Sequence, residues 1–145
     1  MNKITVAMAS DHAGFALKEE LKAELAELGL DCLDLGTDSL ESVDYPDFGR
    51  AVADALVGGR ADRGVLVCGT GIGISIAANR VSGIRAAVCQ DATTARLARE
   101  HNDANVLALG ARIVGAEIAK DCLRAFMSTP FDGGERHLRR VVKLG

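Results

Sequence analysis

The clearest structural signal in this chain is Val65-Leu-Val-Cys68-Gly-Thr70-Gly-Ile-Gly73-Ile-Ser75. An apolar run ends at a cysteine, a glycine-rich turn follows, and a helical segment begins. We expect a buried strand over residues 64–68 and a helix that begins near residue 72. A thiol at this junction would face the free backbone N–H groups at the helix N-terminus, which favours the thiolate. The same N–H groups can hold a phosphate or an enolate-like oxygen.

The rest of the chain alternates between strand and helix patterns. The predicted strands are residues 4–9, 31–35, 64–68, 84–89 and 106–109. The predicted helices are residues 13–28, 46–58, 72–80, 91–100, 114–127 and 134–142. Strands that are mostly apolar, such as 64–68, are expected where helices cover both faces of a parallel sheet. The pattern predicts a single α/β domain over residues 1–145, a doubly wound, Rossmann-like three-layer sandwich with a five-stranded parallel sheet.

Composition excludes several classes of protein. The 145 residues are 48% hydrophobic, which argues against disorder, and the net charge of −3 argues against a general nucleic-acid binder. No apolar run approaches the length of a membrane span, and the N-terminus begins as a strand rather than as a signal peptide. We therefore expect a cytoplasmic protein that binds neither nucleic acid nor membrane.

The four cysteines and three histidines show no metal-ligand spacing. We therefore expect no metal site. Cys32, Cys89 and Cys122 lie in apolar stretches and are predicted to be small buried hydrophobic residues. Cys68 differs because it stands directly before the glycine turn.

Polar residues follow the predicted strands where ligands of open α/β sheets bind, beyond the carboxyl ends of the strands. Asp11 and His12 follow the first strand, Cys68 ends the third, and Arg112 follows the fifth. Residues 101–103, His-Asn-Asp, come just before the last strand, so their placement is open.

The glycine turn is a poor match to a dinucleotide fingerprint. Gly69, Gly71 and Gly73 miss the required spacing by one position, and they follow the third strand rather than the first. Asp91 gives a partial match after the next strand, which keeps a dinucleotide site possible. A Walker A loop is excluded because no Gly-Lys-Ser/Thr occurs.

The histidines and the basic C-terminal segment are further candidates for chemistry. A nucleophilic Cys68 would need a histidine partner, for which His12, His101 and His137 are candidates. Arg136 and Arg140 are four residues apart on one predicted helix face and suit a phosphate, although a solvated basic tail explains them equally well.

Seven short motifs follow one another along the chain. They are Ser10-Asp-His-Ala-Gly14, Asp44-Tyr-Pro-Asp47, Cys68-Gly-Thr-Gly-Ile-Gly-Ile-Ser-Ile-Ala-Ala-Asn79, Gly83-Ile-Arg-Ala86, His101-Asn-Asp-Ala-Asn-Val-Leu-Ala108, Gly110-Ala-Arg112 and Gly134-Glu-Arg-His137. With these motifs the chain closely resembles the type B ribose-5-phosphate isomerases, a family that includes the lactose-pathway galactose-6-phosphate isomerase subunits and the allose-6-phosphate isomerases. The resemblance covers essentially the whole chain.

The resemblance implies a cofactor-free aldose–ketose isomerase that acts on a sugar phosphate through an enediol(ate). It implies that Cys68 is the base, that Thr70 assists proton transfer on the substrate oxygens, and that His101 acts in ring opening. The residues that it implies in substrate binding are Asp11, His12, Gly69, Thr70, Gly71, Ile72, Gly73, Asn102, Arg112, Arg136 and Arg140. One branch of the family replaces the cysteine with a later glutamate, whereas this chain has Cys68 and, seven residues on, Ser75.

The resemblance also implies a homodimer or tetramer whose sites are shared between subunits. The first hypothesis for the reaction is interconversion of D-ribose 5-phosphate and D-ribulose 5-phosphate. A second keeps the chemistry but changes the substrate to allose 6-phosphate, galactose 6-phosphate or a tetrose phosphate. A third, from a different class, is a non-catalytic module that binds a sugar phosphate or a nucleotide.

Overall fold

The computed structural model describes residues 3–145, and it confirms the predicted alternation of strands and helices. The strands are β1 (Thr5–Ser10), β2 (Asp31–Asp34), β3 (Arg63–Cys68), β4 (Ala86–Val88) and β5 (Val106–Gly110). The helices are α1 (Phe15–Glu27), α2 (Tyr45–Val57), α3 (Ile72–Asn79), α4 (Ala92–Asn102), α5 (Ala116–Ser128) and α6 (Glu135–Leu144). Each boundary lies within about two residues of its prediction, as is usual for frayed element ends.

All neighbouring strands are parallel, in the order β2-β1-β3-β5-β4. The chain leaves β1 toward β2 on one side and returns to β3 on the other, so the strand order reverses between β1 and β3. Helices α1, α4 and α5 pack on one face of the sheet, and α2 and α3 pack on the other. This confirms the doubly wound, three-layer prediction and places a crevice at the carboxyl ends of β1 and β3.

Side-chain alternation along β1 shows how the two cores form. Val6 and Met8 point into the core beneath α1 and α5, whereas Ala7 and Ala9 point into the core beneath α2. Successive residues of a strand face opposite sides, so both sets must be apolar when helices cover both faces.

The cysteine prediction is confirmed for two residues and wrong for one. Cys89 and Cys122 are buried, and burial raises the pKa of their thiols to about 12 and about 11. Cys32 is exposed because it lies on β2, an edge strand that has a neighbouring strand on one side only and whose residues are mostly exposed.

A buried cation anchors the carboxyl end of β2. Lys18 of α1 is fully buried, and its Nζ donates to Asp34 Oδ1 at 2.7 Å, while Lys22 donates to Asp34 Oδ2 at 2.7 Å. Burial opposes ionisation of Asp34, but the hydrogen bonds from both lysines and from the N–H of Gly36 outweigh it and lower its pKa to about 2. The helical pattern of α1 does not distinguish Lys18 from its exposed charged neighbours.

Helix α6 differs from the other helices because none of its residues is buried within the chain. Leu138, Val142 and Leu144 are all exposed on it. Its basic and apolar residues therefore remain available for contacts outside the chain. None of the helices in residues 3–145 combines the length and apolar character needed to cross a bilayer.

Candidate active site

The glycine turn after β3 holds the thiol of Cys68 against backbone. Cys68 is only 4% exposed, and its Sγ accepts a hydrogen bond from the N–H of Gly71 at 3.1 Å. Gly71 has φ +80°, a left-handed conformation that favours glycine, and a Cβ there would lie 2.9 Å from the carbonyl carbon of Leu109. Glycine is therefore required at this position both to turn the chain and to fit against β5.

The turn also presents the N-terminus of α3. Thr70 is exposed, and its Oγ1 accepts from the N–H of Ile72 at 3.1 Å. The helix begins at Ile72, so the backbone N–H groups of its first turn point toward the turn, where an anion can accept them. The ring of Tyr45 packs on this turn, since a Cβ on Gly73 would lie 2.5 Å from its Cε1.

Arg112 brings positive charge to the same turn. Its backbone N–H donates to the carbonyl of Gly69 at 2.9 Å. Its guanidinium lies over Gly69, where an added Cβ would be 3.3 Å from Nη1. The turn thus combines backbone donors with a guanidinium, a combination that suits a phosphate or an enolate oxygen.

Asp11 and His12 lie at the end of the adjacent strand, as predicted. Asp11 is 6% exposed, its N–H donates to Val67 O at 3.2 Å, and its Oδ1 accepts from the N–H of Gly14 at 3.0 Å. His12 Nδ1 accepts from the N–H of Val43 at 3.2 Å. In the neutral ring the hydrogen is therefore on Nε2, which leaves that nitrogen free to donate.

These residues form one side of the sheet, which we call the carboxyl edge: Asp11, His12, residues 68–73 and Arg112. The predicted residues His101, Asn102, Arg136 and Arg140 lie elsewhere. His101 and Asn102 end α4 just before β5 begins. We call this second set, together with His137, the amino edge.

The two edges are separated by the length of the strands. In the parallel register of β3 and β5, Gly64 pairs with Val106 and Cys68 pairs with Gly110. Four residue steps along a strand span roughly 13 Å. A single chain therefore holds Cys68 and His101 at opposite edges and does not bring them together.

The amino edge contains its own concave surface. A cavity of about 290 Å³ is lined by His101, Asn102, His137, Arg140, Val141 and Leu144. The rings of His101 and His137 are stacked, with centroids 4.7 Å apart and planes 7° apart. Arg136 and Arg140 lie one helical turn apart on α6, as predicted, and both are exposed.

An ion-pair network around the buried Arg99 fixes the end of α4. Asp103 ends the helix with φ +46°, and its carboxylate accepts from Arg99 Nη1 at 2.8 Å and from Arg85 Nη2 at 3.3 Å. Arg99 is 2% exposed and also donates to the carbonyls of Ala104 at 2.7 Å and Thr129 at 3.0 Å. This single guanidinium joins the end of α4 to the segment that leads into α6.

Sequence reasoning missed this network and the histidine stack. In the sequence, Arg85, Arg99 and Asp103 cannot be distinguished from ordinary charged surface residues. Asp and Asn tolerate the left-handed conformation at helix ends, and only this preference could have indicated the role of Asp103 in ending α4. Within residues 3–145, no group of three or more His, Cys, Asp or Glu side chains has an arrangement that could hold a metal ion.

Comparison with known proteins agrees with this architecture. Residues 6–144 match the family model described as Ribose/Galactose Isomerase. The chain is 51% identical over 139 residues to ribose-5-phosphate isomerase B of Escherichia coli K12, which covers 96% of this chain and 93% of that protein. It is 42% identical over 143 residues to D-erythrulose-4-phosphate isomerase of Pectobacterium atrosepticum, with 98% and 93% covered.

The fold is shared with a solved relative. The structure of Clostridium thermocellum ribose-5-phosphate isomerase B superposes with a TM-score of 0.96 at 52% identity, and the match covers 98% of this chain and 95% of that one. The family match spans both edges of the sheet, from β1 to α6. The chain therefore belongs to the Ribose/Galactose Isomerase family.

Proposed function

We propose that this protein is an aldose–ketose isomerase that interconverts D-ribose 5-phosphate and D-ribulose 5-phosphate through an enediol(ate). The observation that carries the proposal is the Cys68 thiol, held at the mouth of a glycine turn by the N–H of Gly71. Relatives named ribose-5-phosphate isomerase B, about half identical over nearly the whole chain, support the same reaction.

Cys68 is the base in this proposal. As thiolate, its Sγ takes the proton from C2 of the open-chain aldose, and negative charge moves to O1. Thr70 passes a proton between O1 and O2, and Cys68 returns its proton to C1 to give the ketose. These proton transfers need neither a redox partner nor a metal, because every proton remains on the substrate or on these two side chains. Preorganised N–H groups of residues 69–73 stabilise the developing oxyanion.

His101 serves the step that precedes this chemistry. Ring opening requires the anomeric hydroxyl to lose a proton and the ring oxygen to gain one, and an imidazole can perform both transfers. Asp11, His12 and Asn102 contact the sugar or its phosphate. Arg112, Arg136 and Arg140 complete the binding of the phosphate and of the substrate, because guanidinium groups match the geometry and charge of a phosphate and donate hydrogen bonds.

We infer that the complete site forms between subunits. Cys68 and His101 lie at opposite edges of one sheet, so they can act on one substrate only if the amino edge of a second copy meets the carboxyl edge of the first. The exposed apolar residues of α6 support such contacts. A homodimer, or a tetramer built from such dimers, satisfies this requirement. The four free cysteines fit a cytoplasmic enzyme.

A tetrose phosphate is the second candidate substrate, because one relative is named D-erythrulose-4-phosphate isomerase. Both substrates share the α-hydroxy carbonyl group and the terminal phosphate that the two edges would bind. Specificity constants for ribose 5-phosphate and for four- and six-carbon aldose phosphates, measured side by side, identify the preferred substrate.

The test is turnover of ribose 5-phosphate by purified protein without added metal or nucleotide. We expect conversion to ribulose 5-phosphate, and a loss of about 10²- to 10⁴-fold in kcat in Cys68→Ala, as is typical when a catalytic base is removed. Cys32→Ala is the matched control, since that thiol is exposed on an edge strand. A Cys68→Ala variant that keeps most of its activity would contradict the mechanism. Binding without turnover in the parent protein would favour a non-catalytic role.

A further inference from the structure

We propose that His137 is a positioning residue that orients the imidazole of His101 for opening of the furanose ring. The inference rests on the proposed function, because it assigns a role within that reaction. Its basis is the stack of the two imidazoles, whose centroids are 4.7 Å apart with planes 7° from parallel.

The stack is the contact that fixes the His101 ring. His101 is exposed at the penultimate position of α4, and within residues 3–145 no hydrogen bond from the protein holds its imidazole. Rotation about the last bond of a histidine side chain has broad minima. A flat neighbour restricts the ring to one plane, and His137, with its side chain only 13% exposed, provides that neighbour.

A carboxylate lies next to the His137 ring. Its Nε2 lies 3.6 Å from Asp132 Oδ2, and the backbone N–H of Asp132 donates to the carbonyl of Glu100 at 3.2 Å. Glu100 directly precedes His101 in α4. The segment that leads into α6 is thus bonded through the backbone of Asp132 to the same end of α4 that carries His101, next to the stack of the two rings.

The arrangement faces the space where a sugar would bind. His101, His137 and Arg140 line the same cavity of about 290 Å³. Proton transfer requires heavy atoms within roughly 2.6–3.2 Å, so the plane of the His101 ring decides whether its nitrogen reaches the ring oxygen. A guanidinium at Arg140 that holds the phosphate would fix the other end of the substrate.

Two reactions separate this role from general damage to the site. In a Cys68→Ala background the sugar can open and close but not isomerise, so exchange between the α and β anomers of ribose 5-phosphate, followed by NMR, reports ring opening alone. Ribulose 5-phosphate has no furanose form, because its C5 hydroxyl carries the phosphate. Exchange of its C1 proton with D2O therefore requires the base and not ring opening.

We expect His137→Ala to slow enzyme-catalysed anomer exchange about three- to tenfold, in line with the typical strength of ring stacking. His137→Phe, which keeps a flat face, should restore most of that rate. In protein that retains Cys68, the same His137→Ala change should leave the exchange of the C1 proton of ribulose 5-phosphate near the parent rate. Arg139→Ala is the control for an unrelated change on α6 and should alter neither reaction.

Anomer exchange that is unchanged in His137→Ala would overturn the proposal, as would a His137→Phe variant as slow as His137→Ala. Equal losses in both reactions would also overturn it, because they would mark collapse of the assembled site rather than misorientation of one ring. If the parent protein catalysed neither reaction, the proposed function itself would fail, an outcome that is distinct from all of these.

Discussion

The carboxyl edge and the amino edge of this sheet are built in different ways. At the carboxyl edge, Cys68 and Asp11 are buried and held by backbone N–H groups within three residues of each. At the amino edge, His101 is exposed, and a guanidinium that joins two segments 30 residues apart holds the surrounding backbone. Local hydrogen bonds thus hold Cys68 and Asp11 at the first edge, whereas the second depends on packing between distant elements and, in our proposal, on a second subunit.

The largest effect is expected from the backbone of the carboxyl edge. Gly71→Ala would introduce a Cβ 2.9 Å from the carbonyl carbon of Leu109 at a residue with φ +80°. The turn must shift, and the hydrogen bond from the N–H of residue 71 to Cys68 Sγ is then lost. We expect kcat to fall about 100-fold, comparable to loss of an oxyanion-hole donor, and the free energy of unfolding to fall by about 1–3 kcal/mol.

Gly59→Ala separates these two contributions. Gly59 has φ +77°, but an added Cβ meets no atom within 4 Å. It should therefore show the conformational penalty in thermal or urea unfolding while kcat for ribose 5-phosphate stays unchanged. Equal kcat losses in the two variants would show that the glycine turn is not a preformed part of the site.

A smaller effect is expected at the amino edge from Asp103→Asn. Asparagine tolerates the left-handed conformation of this residue but removes the charge that pairs with Arg99 and Arg85. We expect the free energy of unfolding to fall by about 2 kcal/mol, because Arg99 is buried and loses its carboxylate. Urea unfolding measures this fall in the free energy of unfolding. Asp121→Asn is the control, since the carboxylate of Asp121 pairs with Arg124 at the surface. A loss no larger than the control would show that the network does not stabilise the amino edge.

The smallest effect concerns pH and the ion pairs of Asp34 at the carboxyl end of β2. The pKa of Asp34 is lowered from 3.8 to about 2 in the folded protein, so its ionised form stabilises the fold above pH 4. This contribution is lost as the pH falls from about 4 to about 2. The difference in Tm between the parent and Asp34→Asn should therefore be present at pH 6 and shrink across that interval.

Asp54→Asn, which changes an exposed carboxylate on α2, provides the matched control for this pH dependence. Its difference in Tm from the parent should be small at pH 6 and at pH 3. An Asp34→Asn difference that stays constant between pH 6 and pH 2 would contradict the assignment of the ion pair with Lys18 and Lys22.

The contrast between the edges also explains what the sequence could predict. The strand, the glycine turn and the helix around Cys68 are encoded within about ten consecutive residues, so their pattern predicts both the fold and the thiol environment. The burial of Arg99 and Lys18 could not be predicted, because each depends on partners from other elements, Asp103 and Asp34. The stack of His101 on His137 joins residues 36 positions apart in sequence and requires the tertiary contact of α4 with α6. The prediction of a buried Cys32 is wrong because an edge strand and a central strand can have the same local sequence.

The central claim is that the two edges act together across subunits, and a complementation experiment tests it most directly. Cys68→Ala and His101→Ala subunits carrying different tags would be co-expressed, and oligomers containing both would be isolated through the two tags. In a mixed dimer one site would receive an intact Cys68 and an intact His101, so we predict turnover of ribose 5-phosphate at about half the parent rate per dimer. Mixed oligomers that stay as inactive as those made from two tagged Cys68→Ala copies would contradict the claim.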